Sequence, residues 1–183
     1  PAVVAREEEA ARAAAAETAV KAAVTQYFDA LGAQDVPAIV EKSYAPDGVF
    51  FPHQLPTAKG SDELRAAYTQ IFQAIKLDVK LNIESAEVSG DEAVVVTSSL
   101  GTVHVNEPNI DVPEANREIF HMHKIDGDWR IQTYMFNKAE APAAAGARCG
   151  CAGLLRKEGP REEVGLGARQ VCARVGSCTA HKL

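Results

Sequence analysis

The sequence predicts an α+β domain in which a curved antiparallel β-sheet packs on three N-terminal helices. Three observations carry that prediction. Apolar residues recur at helical spacing as far as Ile75, the hydrophobic period then changes to two, and Asp126-Gly127 joins two alternating runs as the strongest hairpin signal in the chain.

Taken in order, Glu7 to Ala23 is rich in Glu, Arg and Ala, all strong helix formers, and it leads into an apolar stripe of Val20, Val24, Tyr27, Phe28 and Leu31. Gly32 ends the pattern. Asp35 with Pro37 in the next first turn starts a second, short helix carrying Ile39, Val40 and Tyr44. Ala45-Pro46-Asp47-Gly48 is turn chemistry, and Val49-Phe50-Phe51 is a brief strand stopped by Pro52. Ser61 reads as the N-cap of a third helix, with Asp62 and Glu63 well placed against its dipole and Leu64, Tyr68, Ile71, Phe72 and Ile75 on its buried side. Leu77, Val79, Leu81 and Ile83 then alternate with Asp78, Lys80, Asn82 and Glu84, as a half-buried strand does. Ser89-Gly90-Asp91 turns into a strand from Ala93 to Val105, and two more strands are expected at about 116–125 and 129–137. After Val105, Asn106 to Asn116, with Pro108 and Pro113, reads as a long connection for a hairpin, either a lip over a pocket or an ordinary exposed loop or dimer contact.

With 183 residues and 46% hydrophobic content, the chain suffices for one ordinary core. We expect an N-terminal helical extension over 1–16, the α+β domain over 17–138, and a disordered Ala/Gly/Arg/Cys-rich tail over 139–183. Residues 1–138 carry 12 Lys/Arg against 21 Asp/Glu, whereas 139–183 carry 7 against 4, so the two segments differ in sign as well as in pattern. A net charge of −6 without a basic cluster in the body argues against nucleic acid as a partner, because phosphate binding needs concentrated Lys and Arg. No run of about 20 apolar residues is present to span a membrane. Cys149, Cys151, Cys172 and Cys178 all fall in the tail and lack the paired spacing of a zinc ribbon or finger. Pro1 without Met fits either methionine removal or cleavage of a signal peptide; a cytoplasmic location is the expectation, secreted or periplasmic if a signal was removed.

On the penultimate strand Ile119, His121, His123 and Ile125 point one way and Phe120 and Met122 the other. On the last, Trp129, Ile131, Thr133 and Met135 oppose Gln132, Tyr134 and Phe136. A sheet apolar on both faces needs two covers, and the helices supply one. The second is expected from a homodimer formed through the outer sheet face.

Tyr27-Phe28-Asp29-Ala30-Leu31 with Asp35, then Tyr44-Ala45-Pro46-Asp47-Gly48-Val49-Phe50, Gly60 leading into the third helix, and Asp126-Gly127-Asp128-Trp129-Arg130-Ile131 together resemble the nuclear transport factor 2-like superfamily, in particular its ketosteroid isomerase and SnoaL-like branch. The resemblance covers about residues 17–138 and implies the cystatin-like, or SnoaL-like, α+β barrel with a conical pocket between sheet and helices. Ketosteroid isomerases use an aspartate base with a tyrosine and a protonated aspartate as oxyanion donors. Tyr27 stands where the helical tyrosine is expected. The base aspartate would fall where this chain has Pro52 and His53, and the protonated aspartate near His121, so both aspartates are absent and a histidine stands near each place.

The catalytic candidates are therefore Tyr27, His53 and His121, because an imidazole can accept a proton near neutral pH or donate to developing enolate charge. Phe51, Tyr68, His123, Tyr134 and Phe136 are the candidate substrate contacts. Each has a plainer reading: His53 as a loop histidine, His121 and His123 as satisfied strand residues, the tyrosines as core. A metal site from His121 and His123 would need a third ligand such as His53 or His104, so acid–base chemistry is preferred and no metal is expected. With no Gly-rich phosphate loop, no cofactor is expected either. The function expected is an acid–base isomerase, dehydratase or cyclase acting on a small apolar carbonyl compound. The alternative is a non-catalytic ligand-binding or dimerisation module of the same fold.

Overall fold

The computed structural model describes residues 2–140, with side chains from residue 5. The tail expected over 139–183, with its four cysteines, lies outside the described residues from 141 onward. Three helices, α1 (Ala2–Gly32), α2 (Ala38–Ser43) and α3 (Gly60–Ala74), accompany six strands: β1 (Tyr44–Phe51), β2 (Ala58–Lys59), β3 (Ile75–Ser89), β4 (Glu92–Val105), β5 (Ile110–Ile125) and β6 (Asp128–Lys138). The strands form one sheet in the order β2-β1-β6-β5-β4-β3. The α+β class and the helices-then-sheet order are as the sequence implies. The sheet itself is open rather than a barrel, and it is mixed rather than antiparallel, because β1 runs parallel to β6 while every other pair is antiparallel. None of the described helices is long and apolar enough to cross a membrane.

The helix boundaries follow local chemistry. Asp35 Oδ1 accepts the Ala38 N–H at 3.0 Å and opens α2, a wide π-type turn burying Ile39 and Val40. Tyr44, expected on that helix, instead begins β1. Ser61 lies inside the first turn of α3; the cap comes from Glu63, whose Oε2 accepts the Lys59 N–H at 2.8 Å.

Irregularities in the strands decide which residues face the helices. Tyr44 pairs with Ile131 and Val49 with Thr133, so Ala45 to Gly48 bulge out of β1; their turn chemistry kinks a strand here and does not end one. A second bulge lies between β5 and β6, where Met122 faces Ile131 and the adjacent His121 faces Thr133, leaving Gln132 unpaired. Side-chain direction along β6 switches there. Ile131, Tyr134 and Phe136 face inward, whereas Thr133 and Met135 face outward, so the expected shared face of Ile131, Thr133 and Met135 does not form.

The long connection expected over Asn106 to Asn116 is also absent. β4 and β5 are joined by residues 106–109 alone, and Asp111 to Asn116 extend β5. Pro113 fits in that strand because β6 pairs with β5 only from Asn116 onward, leaving the Pro113 side without a partner that needs its N–H.

The core lies between α1, α3 and the inner sheet face, and aromatic rings dominate it. Register aligns Phe120 of β5, Tyr134 of β6 and Phe50 of β1 in one row. Phe120 and Tyr134 stack with centroids 4.3 Å apart, Tyr134 and Phe50 at 5.3 Å, and Tyr68 from α3 continues the column at 5.1 Å from Phe50. One residue along, the outer face carries the parallel row Val96, Ile119, Met135 and Phe51.

Candidate functional site

A cavity of about 190 Å³ lies between the inner sheet face and the helices. One wall is apolar, built from the aromatic column together with Phe28, Leu31 and Ile71 of the helices and Leu77 and Val79 of β3. The other is polar and comes from the inward positions of β5. Glu114, Asn116 and Glu118 share the face of Phe120 and Met122, because alternate strand residues point the same way.

Glu118 is 4% exposed and held on both oxygens: Thr97 Oγ1 donates to Oε2 at 2.6 Å and Ser99 Oγ to Oε1 at 2.5 Å. Both donors come from β4, Thr97 directly opposite Glu118 and Ser99 opposite Asn116. Burial raises the Glu118 carboxyl above the ordinary glutamate range; the Ser99 and Thr97 hydrogen bonds oppose this, and the charge of Glu84 adds to it. Each oxygen keeps a lone pair for a proton. Asn116 Nδ2 donates to Ser99 Oγ at 3.3 Å, which links the amide to the carboxylate through one hydroxyl. Glu114, also buried, accepts from Lys138 Nζ at 2.9 Å.

Three phenols form a second network. Tyr68 Oη lies 2.7 Å from Tyr27 Oη and 2.8 Å from Tyr44 Oη. Two bonds among three hydroxyls consume two of the three hydrogens. When Tyr44 donates to Tyr68 and Tyr68 to Tyr27, the hydrogen of Tyr27 is left to donate, polarised by the chain behind it. Burial pushes all of these phenols, and Tyr134, above the ordinary tyrosine range, so they remain protonated donors at neutral pH. For Tyr27 the neighbouring Glu118 charge adds to the rise.

Of the residues singled out in the sequence, Tyr27, His53, Tyr68, Tyr134 and Phe136 line this cavity. His53 does so from the loop between β1 and β2. Phe51, His121 and His123 do not. Phe51 pairs with Met135, and His121 with Val94 and Thr133, all on the outer face; His123 lies two positions further on, on the same side as His121. The assignment of His121 as the donor that polarises a carbonyl therefore fails on strand parity: Phe120 and Met122 hold the inward positions, and an imidazole between them must point outward. Substrate contacts at Phe51 and His123 in this cavity are lost for the same reason. Nor do the histidines converge, and no three His, Cys, Asp or Glu side chains among the described residues gather as a metal site.

The missed residues are Ser99, Glu114, Asn116 and Glu118. Their signal was present in the inward face of Phe120 and Met122, which continues backward at steps of two onto all three β5 residues. Reading Asn106 to Asn116 as a loop cut that pattern short before Glu114, and within the expected strand from about 116 the inward direction of Asn116 and Glu118 went unread.

An open mixed sheet with the helices and an apolar pocket on its inner face defines an α+β protein of the helices-then-sheet kind. A model of the SnoaL-like domain matches residues 24–131, more than half of the chain, and the protein belongs to that family. Among solved structures it is similar to a ketosteroid isomerase-like protein from Erwinia carotovora atroseptica (28% identity, TM-score 0.65, covering 68% of this chain and 96% of that one). It also shares its fold with a dehydratase candidate of the NTF2-like family from Streptomyces avermitilis (14% identity, TM-score 0.60, covering 69% and 98%). An aromatic ring hydroxylase candidate from Novosphingobium aromaticivorans is a further fold neighbour (17% identity, TM-score 0.59, covering 68% and 89%). No curated protein matches the sequence.

Proposed function

We propose that this protein is a cofactor-independent acid–base enzyme that moves a proton on a small apolar carbonyl compound, as an isomerase, dehydratase or cyclase does. The observation that carries the reading is the placement of a buried, hydroxyl-anchored carboxylate and a relayed phenol on the wall of one apolar cavity. Glu118 takes the proton from the carbon beside the carbonyl. The bonding pair becomes the enolate double bond, and the carbonyl oxygen takes up the charge, which the Tyr27 hydroxyl stabilises by donation. The proton then returns to the same carbon or goes to the far end of a conjugated system, or Glu118 gives it to a β-hydroxyl, which leaves as water while the enolate collapses to the conjugated carbonyl. His53, on a loop at the cavity, exchanges the proton with solvent. The ketosteroid isomerase-like and dehydratase-like neighbours support the class of reaction without specifying it.

The test is exchange of the α-protons of 2-tetralone in D2O, followed by NMR. The wild-type protein is expected to accelerate it, and Tyr27→Phe to lower the rate by about 10²-fold, the usual loss for an oxyanion donor. His53→Ala is expected to cost less. Binding of the ketone without exchange would favour the non-catalytic binding module instead.

We also propose that the outer sheet face pairs with a second copy of this chain. Ile119, Met135 and Phe51 are 44%, 47% and 37% exposed along one row, with Val94 and Leu100 on the same face, while the core between sheet and described helices lies on the other. A twofold axis covers both rows at once. Ile119→Asp is expected to convert a dimer into a folded monomer by sedimentation velocity, and a monomeric wild type would refute the proposal.

A further inference from the structure

Helix α3 and the loop between β1 and β2 enclose a second hollow, an open groove of about 700 Å³. Its α3 wall is the stripe Glu63, Ala66, Ala67, Gln70, Ile71 and Ala74, which recurs at three- and four-residue steps along one side of the helix and runs for about 16 Å. The small alanines leave a trough there, and Pro52, Leu55 and Pro56 of the loop complete it with apolar side chains. Leu55, Ile71 and Ile75 line this groove and the cavity of Tyr27 and Glu118 alike, so the two hollows lie on either side of the same three side chains. Of these Leu55 is held least. It is 56% exposed, it stands among the exposed residues 54–57 between the buried Pro52 and Ala58, and the one hydrogen bond its N–H makes, to the Pro52 carbonyl, is 3.5 Å long.

Resting on the proposed proton-transfer reading, we propose that the groove is the subsite for an unbranched, uncharged alkyl chain on the substrate: the carbonyl end sits in the cavity against Tyr27 and Glu118, and the chain passes Leu55 and lies along α3. Continuity of the walls, shape and charge all favour this occupant. A chain leaving the cavity has only the exposed Leu55 to displace before it reaches the trough, and a trough floored by alanines fits a narrow chain. An alkyl chain has no hydrogen bonds to satisfy. A peptide would have to pair its backbone, and on the adjoining edge strand the Lys59 N–H is already given to Glu63. A chain ending in a carboxylate would meet Glu63 and find no Lys or Arg among the groove residues. The substrate class thus narrows to a ketone bearing a plain aliphatic tail, whose methylenes leave water as they enter the groove.

The experiment compares propiophenone, hexanophenone, octanophenone and decanophenone for binding, by titration calorimetry, and for α-proton exchange, in the wild type, Ala66→Glu, Ala74→Glu, Gln70→Leu and Tyr27→Phe. Wild-type affinity is expected to rise about twofold to fourfold with each added methylene. Ala66→Glu and Ala74→Glu place a charge in the trough and are expected to flatten that rise while leaving propiophenone unchanged, whereas Gln70→Leu is expected to steepen it. Residues 66, 70 and 74 are exposed on α3 and line the groove but not the cavity, so the fold and the chemistry of short ketones are expected to survive all three substitutions. Tyr27→Phe is expected to slow exchange of all four ketones and to keep the dependence of binding on chain length, which separates the two roles. A flat series in the wild type, or a rise that persists in full in both glutamate variants, would overturn the inference even if exchange is catalysed. A rise lost in those variants, without exchange of any ketone, would instead overturn the catalytic reading alone. A flat series together with a change of oligomeric state in Ala66→Glu, by sedimentation velocity, would assign the groove to a contact between copies and would also overturn the inference.

Discussion

Glu118→Gln is expected to reduce α-proton exchange by at least about 10²-fold, the lower end of what a positioned general base contributes, and at the same time to make the protein more stable at neutral pH. The two effects have one cause. Burial holds the Glu118 carboxyl above its ordinary value of 4.5 despite donation from Thr97 and Ser99, so the ionised form is disfavoured in the folded state relative to the unfolded chain. For a carboxyl raised in this way, its favourable contribution is present below the unfolded pKa and is lost as pH rises through the folded one. Glutamine keeps the shape and a carbonyl acceptor and carries no charge, so its advantage is full above the folded titration and disappears below about pH 4.5. Calorimetry of both proteins from pH 3 to 8 measures this directly. A melting-temperature difference that grows toward acid, or a variant less stable at pH 7, would show that the hydrogen bonds outweigh the desolvation. A stabilised variant that has lost its activity would mark Glu118 as a group retained for chemistry at the expense of stability.

Phe120→Ala is expected to have the largest effect on stability, about 3–5 kcal/mol. Phe120 has no solvent exposure and lies at one end of the stacked column, 4.3 Å from Tyr134, with Tyr27 edge-on at 5.7 Å and Phe28 at 6.2 Å. It therefore ties β5 and β6 to α1, and no neighbouring side chain can move into the space it leaves without breaking a ring contact. A loss of this size is a large part of the stability of a domain this small. Urea unfolding is expected to show a much lower midpoint for Phe120→Ala, with near-UV circular dichroism weakened by loss of the stack. A cost below about 1 kcal/mol would mean that the column does not hold the sheet to the helices.

Much of the fold was legible because amphipathic period is a local property. Val20, Val24, Tyr27, Phe28 and Leu31 sit on one side of α1, and all five are buried. The alternation of β3 and the Asp126-Gly127 turn likewise appear where their spacing placed them. The site was legible only in part, since the residues that fix it depend on register. Tyr27, Tyr68 and Tyr134 were recognisable as aromatic positions on apolar stripes. Gln132 carries no local mark of being the extra residue in a bulge, yet it decides that Met135 faces outward. Pro113 suggested a loop, and only the early end of the β5–β6 pairing explains why a strand accommodates it. That reading concealed Glu114; Asn116 and Glu118 stood at the start of the expected strand, but the face they share with Phe120 and Met122 went unread. The histidines drew attention for their chemistry, whereas strand parity, readable from Phe120 and Met122 on either side, already placed His121 on the opposite face.

The most direct test of the account is the pH dependence of 2-tetralone exchange in the wild type, Glu118→Gln and His121→Ala. The account predicts a wild-type rate that rises with pH through an inflection above the usual glutamate range, the same profile in His121→Ala, and no such inflection in Glu118→Gln. An inflection that persists in Glu118→Gln and disappears in His121→Ala would contradict it, and would return the chemistry to the outer face of the sheet.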